Sequence, residues 1–256
     1  MEDRLKNIAL LIDADNVQPE GIDPVLTVLA ELGQVNIRRA YGNWAKPALS
    51  NWSKHTNRFG LQPVQQFDMT RGKNATDMAM TIDAIDLLYA GKVDGFGIMS
   101  SDSDFTPLAT RLRQDGIIVY GFGDAKTPEA FRTACTRFIE VGKLMAASAK
   151  EDVAPATPSA KPAANGAKAK PPVAKAVEKP TVDAEVINLL AEAWKASRRD
   201  AQGFARLGEV GKIANNRSSF DVRNYGFSRL SDLIEANGES FKTERRDDGV
   251  YVKRLR

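Results

Sequence analysis

Ile98-Met99-Ser100-Ser101-Asp102-Ser103-Asp104-Phe105-Thr106-Pro107 is the stretch on which the fold turns. Its first residues continue an apolar run from Gly95 and read as the end of a buried strand. The chain then breaks into a loop that carries two carboxylates one residue apart. A helix follows at once, with Pro107 in its first turn, where a missing N–H costs nothing. A strand that hands the chain directly to a helix is the repeating unit of a parallel α/β sheet. Carboxylates at the carboxyl end of a central strand are well placed to hold a hard divalent cation. Asp and Ser are also favoured in turns and as helix caps, so Ser103 or Asp104 capping the helix would explain the loop with no function at all. The rest of the chain decides between the two.

Outward from this stretch, strand and helix signals alternate. Strands are expected at Ile8–Ile12, Val35–Tyr41, Leu61–Phe67, Gly95–Ser100, Ile117–Phe122 and Arg137–Val141. Helices are expected at Pro19–Leu32, Pro47–Phe59, Thr76–Tyr89, Phe105–Gln114 and Pro128–Cys135. In Thr76–Tyr89 the residues Met78, Ile82, Ile85 and Leu88 fall at helical spacing and are assigned to the core. Near-continuous apolar strands alternating with helices predict an α/β fold with a doubly wound parallel sheet.

Residues 147–180 hold 11 Ala and 6 Pro, with three valines as their only larger apolar residues, and cannot bury enough surface to offset chain entropy. They read as an extended linker dividing a first domain, 1–146, from a second, 181–256. The second opens with a helix over Asp183–Ser197, with Val186, Leu189, Leu190 and Trp194 as its core stripe. Shorter elements follow at Leu207–Ile213 and Phe227–Glu235, then a terminal pair joined by Asp247-Asp248-Gly249, which has hairpin composition. Helices closed by a small hairpin suggest a winged helix-turn-helix.

Net charge is +3, too small for a global field that would advertise nucleic acid or membrane. It is unevenly spread: residues 1–146 carry 16 Lys/Arg against 18 Asp/Glu, and residues 181–256 carry 14 against 12. One cysteine, Cys135, excludes an intrachain disulfide and fits a reducing compartment as a small buried side chain. Ile8–Ile12 is too short for a signal sequence or a membrane span, so a cytoplasmic protein is expected.

Open parallel sheets bind ligands beyond the carboxyl ends of their strands, where strand order reverses. If strands one and four are neighbours, Asp13, Asp102 and Asp104 converge on one crevice, and Asp77, in the first turn of its helix, closes it from the side. Carboxylates crowded together repel unless a cation neutralises them. An all-oxygen set selects Mg²⁺ or Mn²⁺ over Zn²⁺, and the single histidine, His55, lies in a polar surface stretch. That chemistry suits hydrolysis of a phosphodiester by a metal-activated water. Each residue also has a purely structural reading. Asp77 can complete a capping box with Asn74, Asp15 reads as a solvated loop residue, and Asp83, Asp86 and Asp94 as surface charges. A charge at Asp13, abutting a buried strand, is costly unless used.

The runs Leu11-Ile12-Asp13-Ala14-Asp15-Asn16, Lys73-Asn74-Ala75-Thr76-Asp77 and Ser100 to Leu108 together resemble the NYN domain, a branch of the PIN-like ribonucleases, and most closely its LabA-like (DUF88) group. The resemblance implies a PIN-like sheet and a Mg²⁺- or Mn²⁺-dependent endoribonuclease with ligands at Asp13, Asp77, Asp102 and Asp104, and Asn16 orienting Asp13 or a water. The run Phe220 to Ile234, with Leu207-Gly208-Glu209-Val210-Gly211, is similar to the OST-HTH (LOTUS) domain. That similarity implies RNA binding and, in some members, a protein partner. Arg217, Arg223, Arg229, Arg245 and Arg246 are its candidate phosphate contacts. Trp44, Arg71 and Lys73 are candidates to hold single-stranded RNA beside the crevice by stacking and charge, with packing an equal alternative for Trp44.

Two rivals follow from the same residues. One is an RNA-binding adaptor whose acidic pocket is vestigial or regulatory. The other is a phosphatase of the haloacid-dehalogenase type, with Asp13 as nucleophile in Asp13-Ala14-Asp15, although Ser101 to Asp104 copies that family's acidic pair poorly.

Overall fold

The computed structural model describes residues 5–67, 75–151 and 182–255. Arg71, Lys73, Asn74 and most of the expected linker lie outside these residues.

Six parallel strands form one sheet: β1 (Leu5–Asp13), β2 (Gly33–Gly42), β3 (Gln62–Gln65), β4 (Gly95–Met99), β5 (Ile118–Gly123) and β6 (Arg137–Glu140). Their order is β3-β2-β1-β4-β5-β6, so the winding reverses between β1 and β4. The two strands pair in register from Ile8 opposite Gly95 to Ile12 opposite Met99. The crevice expected at a switch point therefore opens beside Asp13 and Ser100.

Helices cover both faces. Ile8, Leu10 and Ile12 pack with α1 (Ile22–Leu32), α2 (Trp52–Phe59) and α6 (Val141–Glu151) through Val25, Leu29, Trp52 and Leu144. Ala9 and Leu11 pack with α3 (Ala75–Tyr89), α4 (Thr106–Gln114) and α5 (Glu129–Ala134) through Met80, Leu108 and Phe131. This two-sided burial explains why β1 reads as an unbroken apolar run. Period-2 alternation then gives Asp13 the parity of Ala9 and Leu11, on the face of α3 and α4. Cys135 fills a gap above β5: a Cβ on Gly121 would lie 2.5 Å from its Sγ.

Three expectations are corrected. Pro19–Gly21 and Pro47–Leu49 are separate 3-10 turns ahead of α1 and α2, and Ser103–Phe105 is another ahead of α4. In α3 the buried residues are Thr76, Met80 and Ala84, and of the four expected core residues Ile85 and Leu88 pack partly buried against the core while Met78 and Ile82 stand 62% and 56% exposed. The helix carries apolar residues on more than one side, so spacing alone does not say which side is covered. The helix α6 continues through Glu151, taking residues whose composition had suggested linker.

The second unit holds α7 (Ala184–Ala196), α8 (Leu207–Arg217), α9 (Leu230–Ala236) and an antiparallel sheet of order β7-β9-β8, from β7 (Ala205–Arg206), β8 (Phe241–Arg246) and β9 (Gly249–Arg254). Leu190, Val210, Ile234, Phe241 and Val252 form its core, and Phe227 and Leu230 pack partly buried against it. Asp247 and Asp248 turn the β8–β9 hairpin, which Gly249 completes at φ 144°. This unit docks on the outer edge of β6. The Phe138 N–H donates to Ser219 O at 3.1 Å. The Asn224 side chain accepts from Glu140 N at 2.8 Å and donates to Phe138 O at 2.7 Å.

Candidate metal centre

Asp13 is the last residue of β1 and fully buried. Its Oδ2 accepts hydrogen bonds from Asn16 Nδ2 at 2.9 Å and Ser100 Oγ at 2.8 Å. Among the described residues its Oδ1 is buried and receives none. A buried carboxylate oxygen without a donor is costly unless a cation reaches it. Burial pushes the Asp13 carboxyl above the usual carboxylate range, and the charges of Asp15 and Asp102 push the same way, against the hydrogen bonds from Asn16 and Ser100.

Ser100, the residue after β4, also accepts from Asp102 N at 3.1 Å, so one hydroxyl fixes both Asp13 and the loop that follows. Asp102 has extended backbone and accepts from Asp104 N at 2.9 Å. The cap of this turn is therefore Asp102, one residue before the expected Ser103 or Asp104, because the 3-10 turn begins at Ser103. With its second oxygen uncommitted to the cap, Asp102 is available to a cation.

Asp77, Asp102 and Asp104 each offer an oxygen within 4.8 Å of the others. Asp13 is not one of that trio, but its charge is felt there. Asp77 is pushed up to about 6, first by burial and then by Asp13, Asp102, Asp104 and Asp15. The donor set is all oxygen. His55, the chain's one imidazole, stacks on Phe59 in α2, a helix packed on the opposite face of the sheet. Such a set fits Mg²⁺ or Mn²⁺ and gives Zn²⁺ neither nitrogen nor sulfur.

Asp15 is not the solvated loop residue expected. Its Oδ2 accepts from Thr76 Oγ1 at 2.9 Å and Asn43 N at 3.4 Å, and its Oδ1 pairs with Lys46 Nζ at 3.2 Å. It thereby ties the ends of β1 and β2 to the start of α3, one residue before Asp77. Nor is Asp83 a simple surface charge, since Tyr41 OH and Arg39 donate to it.

Of the expected RNA contacts, Trp44 packs partly buried against the core, donates its indole N–H to Val64 O at 3.0 Å, and meets Trp52 edge to face at 6.1 Å. Arg223 is held by Asp221 and by Glu31 of α1. Arg246 is paired with Asp200 and Glu244, and Arg245 lies 3.6 Å from Glu235. Arg217 and Arg229 are exposed.

Residues 7–144 match the family model of the NYN domain, and residues 178–253 that of the OST-HTH/LOTUS domain. No curated protein matches the chain. Among solved structures, the crystal structure of VPA0982, a protein of unknown function from Vibrio parahaemolyticus RIMD 2210633, is similar over 55% of this chain and 95% of its own, at 19% identity and a TM-score of 0.45. With more than half of its length matched, the chain belongs to the NYN family, a branch of the PIN-like nuclease superfamily, and carries an OST-HTH/LOTUS domain after its NYN domain.

Proposed function

We propose that the protein is a metal-dependent endoribonuclease of three parts: an NYN nuclease domain that includes α6, a linker between α6 and residue 180, and an RNA-binding domain at 181–256. The observation that carries the reading is the meeting of Asp77, Asp102 and Asp104 oxygens within 4.8 Å, beside the buried and unpartnered Asp13 Oδ1. Asp77, Asp102 and Asp104 would hold Mg²⁺ or Mn²⁺, with Asp13 as the fourth carboxylate. Such a cation supplies charge neutralisation at a phosphate and lowers the pKa of water. The chain's own residues provide placement. Asn16 and Ser100 fix the plane of Asp13, Asp102 is fixed by its cap, and Asp15 anchors the turn that presents Asp77. Single-stranded RNA is the proposed substrate, in a cytoplasmic setting. The OST-HTH/LOTUS domain supports RNA as partner and leaves Arg217 and Arg229 as its open cationic contacts. The phosphatase alternative needs Asp15 free to handle a proton, and Asp15 is committed to Thr76, Asn43 and Lys46.

The test is RNA cleavage with Mg²⁺ or Mn²⁺ by the full chain and by Asp13→Asn and Asp102→Asn. Loss of ~10²-fold or more in each variant is expected, from removing a charge that stabilises the transition state. Retained cleavage by both variants overturns the site. Wild-type protein that binds RNA and cuts none with either metal supports the adaptor reading instead.

A further inference from the structure

A second concavity, about 670 Å³, lies between β2, β3 and α3, lined on the helix side from Ala75 to Asp86. Its apolar wall is Met78 and Ile82, two of the most exposed large apolar side chains among the described residues. Its floor is polar and already ordered. Asp83 accepts from Tyr41 OH and from Arg39, and Arg39 Nε donates to Gln62 Oε1 at 3.3 Å. The guanidinium is thus held in one plane and the Asp83 charge is matched by its partner. Met78 follows Asp77 directly. Ile82 is five residues on, about 7.5 Å along the helix axis, and at about 100° per residue the exposed Met78 stands between Asp77 and the rest of the wall.

We infer that this cavity is a nucleobase subsite, receiving one base of a single-stranded RNA whose backbone passes Asp77, Asp102 and Asp104. The inference rests on the nuclease reading for the path of the strand. A planar base fits between apolar side chains and a fixed guanidinium plane, and the Gln62 and Gln66 amides offer donors and acceptors to its edge. A second copy of the chain suits the surface less well. The cores of protein interfaces are depleted of Asp, whereas Asp83 and Asp86 line this cavity. Pro63 also removes a donor from β3, the edge strand against which a copy would pair.

The experiment is a double-mutant cycle in binding, run on the full chain carrying Asp102→Asn so that the strand stays intact. A short single-stranded RNA is compared by fluorescence anisotropy with versions carrying one abasic residue, walked along the strand. At one position the missing base should weaken binding about tenfold, and Met78→Ala with Ile82→Ala should abolish that difference. Met78→Phe, which restores a stacking surface, should bring it back. Circular dichroism and the urea midpoint should be unchanged, because both side chains are exposed. Abasic effects identical in parent and double variant at every position overturn the inference. So does a change of oligomeric state by light scattering with no change in RNA coupling, which gives the wall to a second copy. Coupling found in a protein that cuts no RNA leaves the subsite standing and removes only the nuclease reading.

Discussion

Asp77 concentrates the electrostatics of the site. Its carboxyl stands at about 6 in the folded chain against an ordinary 3.8, through burial first and its acidic neighbours second. The folded state therefore binds more protons than the unfolded state between those values. Stability of the metal-free protein must fall as pH rises through that window, and the full cost is present above it. Two units convert to ~3 kcal/mol, and solvent screening of a half-open site reduces this to about 1 kcal/mol. Asp77→Asn should accordingly stabilise the chelator-treated protein at pH 7 by about 1 kcal/mol, and much less at pH 4.5, in urea unfolding. Saturating Mg²⁺ should reverse the order, because only the wild type keeps the full carboxylate set. An equal gain at both pH values would remove crowding as its cause. At this scale Asp13 was legible because a carboxylate abutting an apolar strand is anomalous wherever the strand goes, while Asp102 gained a role only when read together with Asp13 and Asp77. Asp15 and Ser100 were not legible, because each takes its meaning from a partner 61 or 87 positions away.

The helix α3 shows where element-level reading stops. Its existence followed from periodicity, and among the described residues it runs Ala75–Tyr89. Its orientation did not follow. Met78, Ile82 and Tyr89 make one apolar stripe and Met80, Ala84 and Leu87 another, and only packing against β1 and α4 selects the second. The two stripes differ sharply in what substitution should do. Met80 is fully buried, so Met80→Ala should cost about 2–4 kcal/mol in transfer and cavity terms. Met78→Ala, with its side chain in water, should stay within about 0.5 kcal/mol. Urea midpoints of the two single variants check the assignment, and similar losses in both would mean that α3 lies rotated on the sheet. Strand order was within reach of the sequence for a related reason. Buried parallel strands need helical crossovers, and right-handed crossovers on both faces leave few arrangements. The edge strand β3 was overextended because Leu61 and Phe67 are apolar, although pairing with β2 covers only Gln62 to Gln65.

At the scale of the whole molecule, composition suggested two domains divided by an extended linker. The structure adds a direct dock that no local pattern announced, because its partners lie far apart in the sequence. Strand β6 ends the sheet with its outer groups unpaired by any strand, and Asn224 substitutes for one, meeting Glu140 N and Phe138 O with its own amide. Ser219 O takes the remaining Phe138 N–H, Lys143 sits 5.7 Å above the Tyr225 ring, and Glu31 holds Arg223. Arg223, expected to meet phosphate, is thus spent on holding the two units together, while Arg217 and Arg229 stand exposed on the second unit. Asn224 is itself buried, so Asn224→Ala strands a buried N–H and a buried C=O on β6, at about 1–3 kcal/mol for each group left unpaired. That is enough to undock the units without unfolding either, since each has its own core. Amide exchange at Phe138 and Glu140 should accelerate at least tenfold in this variant, and small-angle scattering should report a larger radius of gyration, while exchange at Leu10 and Leu11 in β1 stays slow. Unchanged exchange at Glu140 would mean that the β6 edge is held by something other than Asn224.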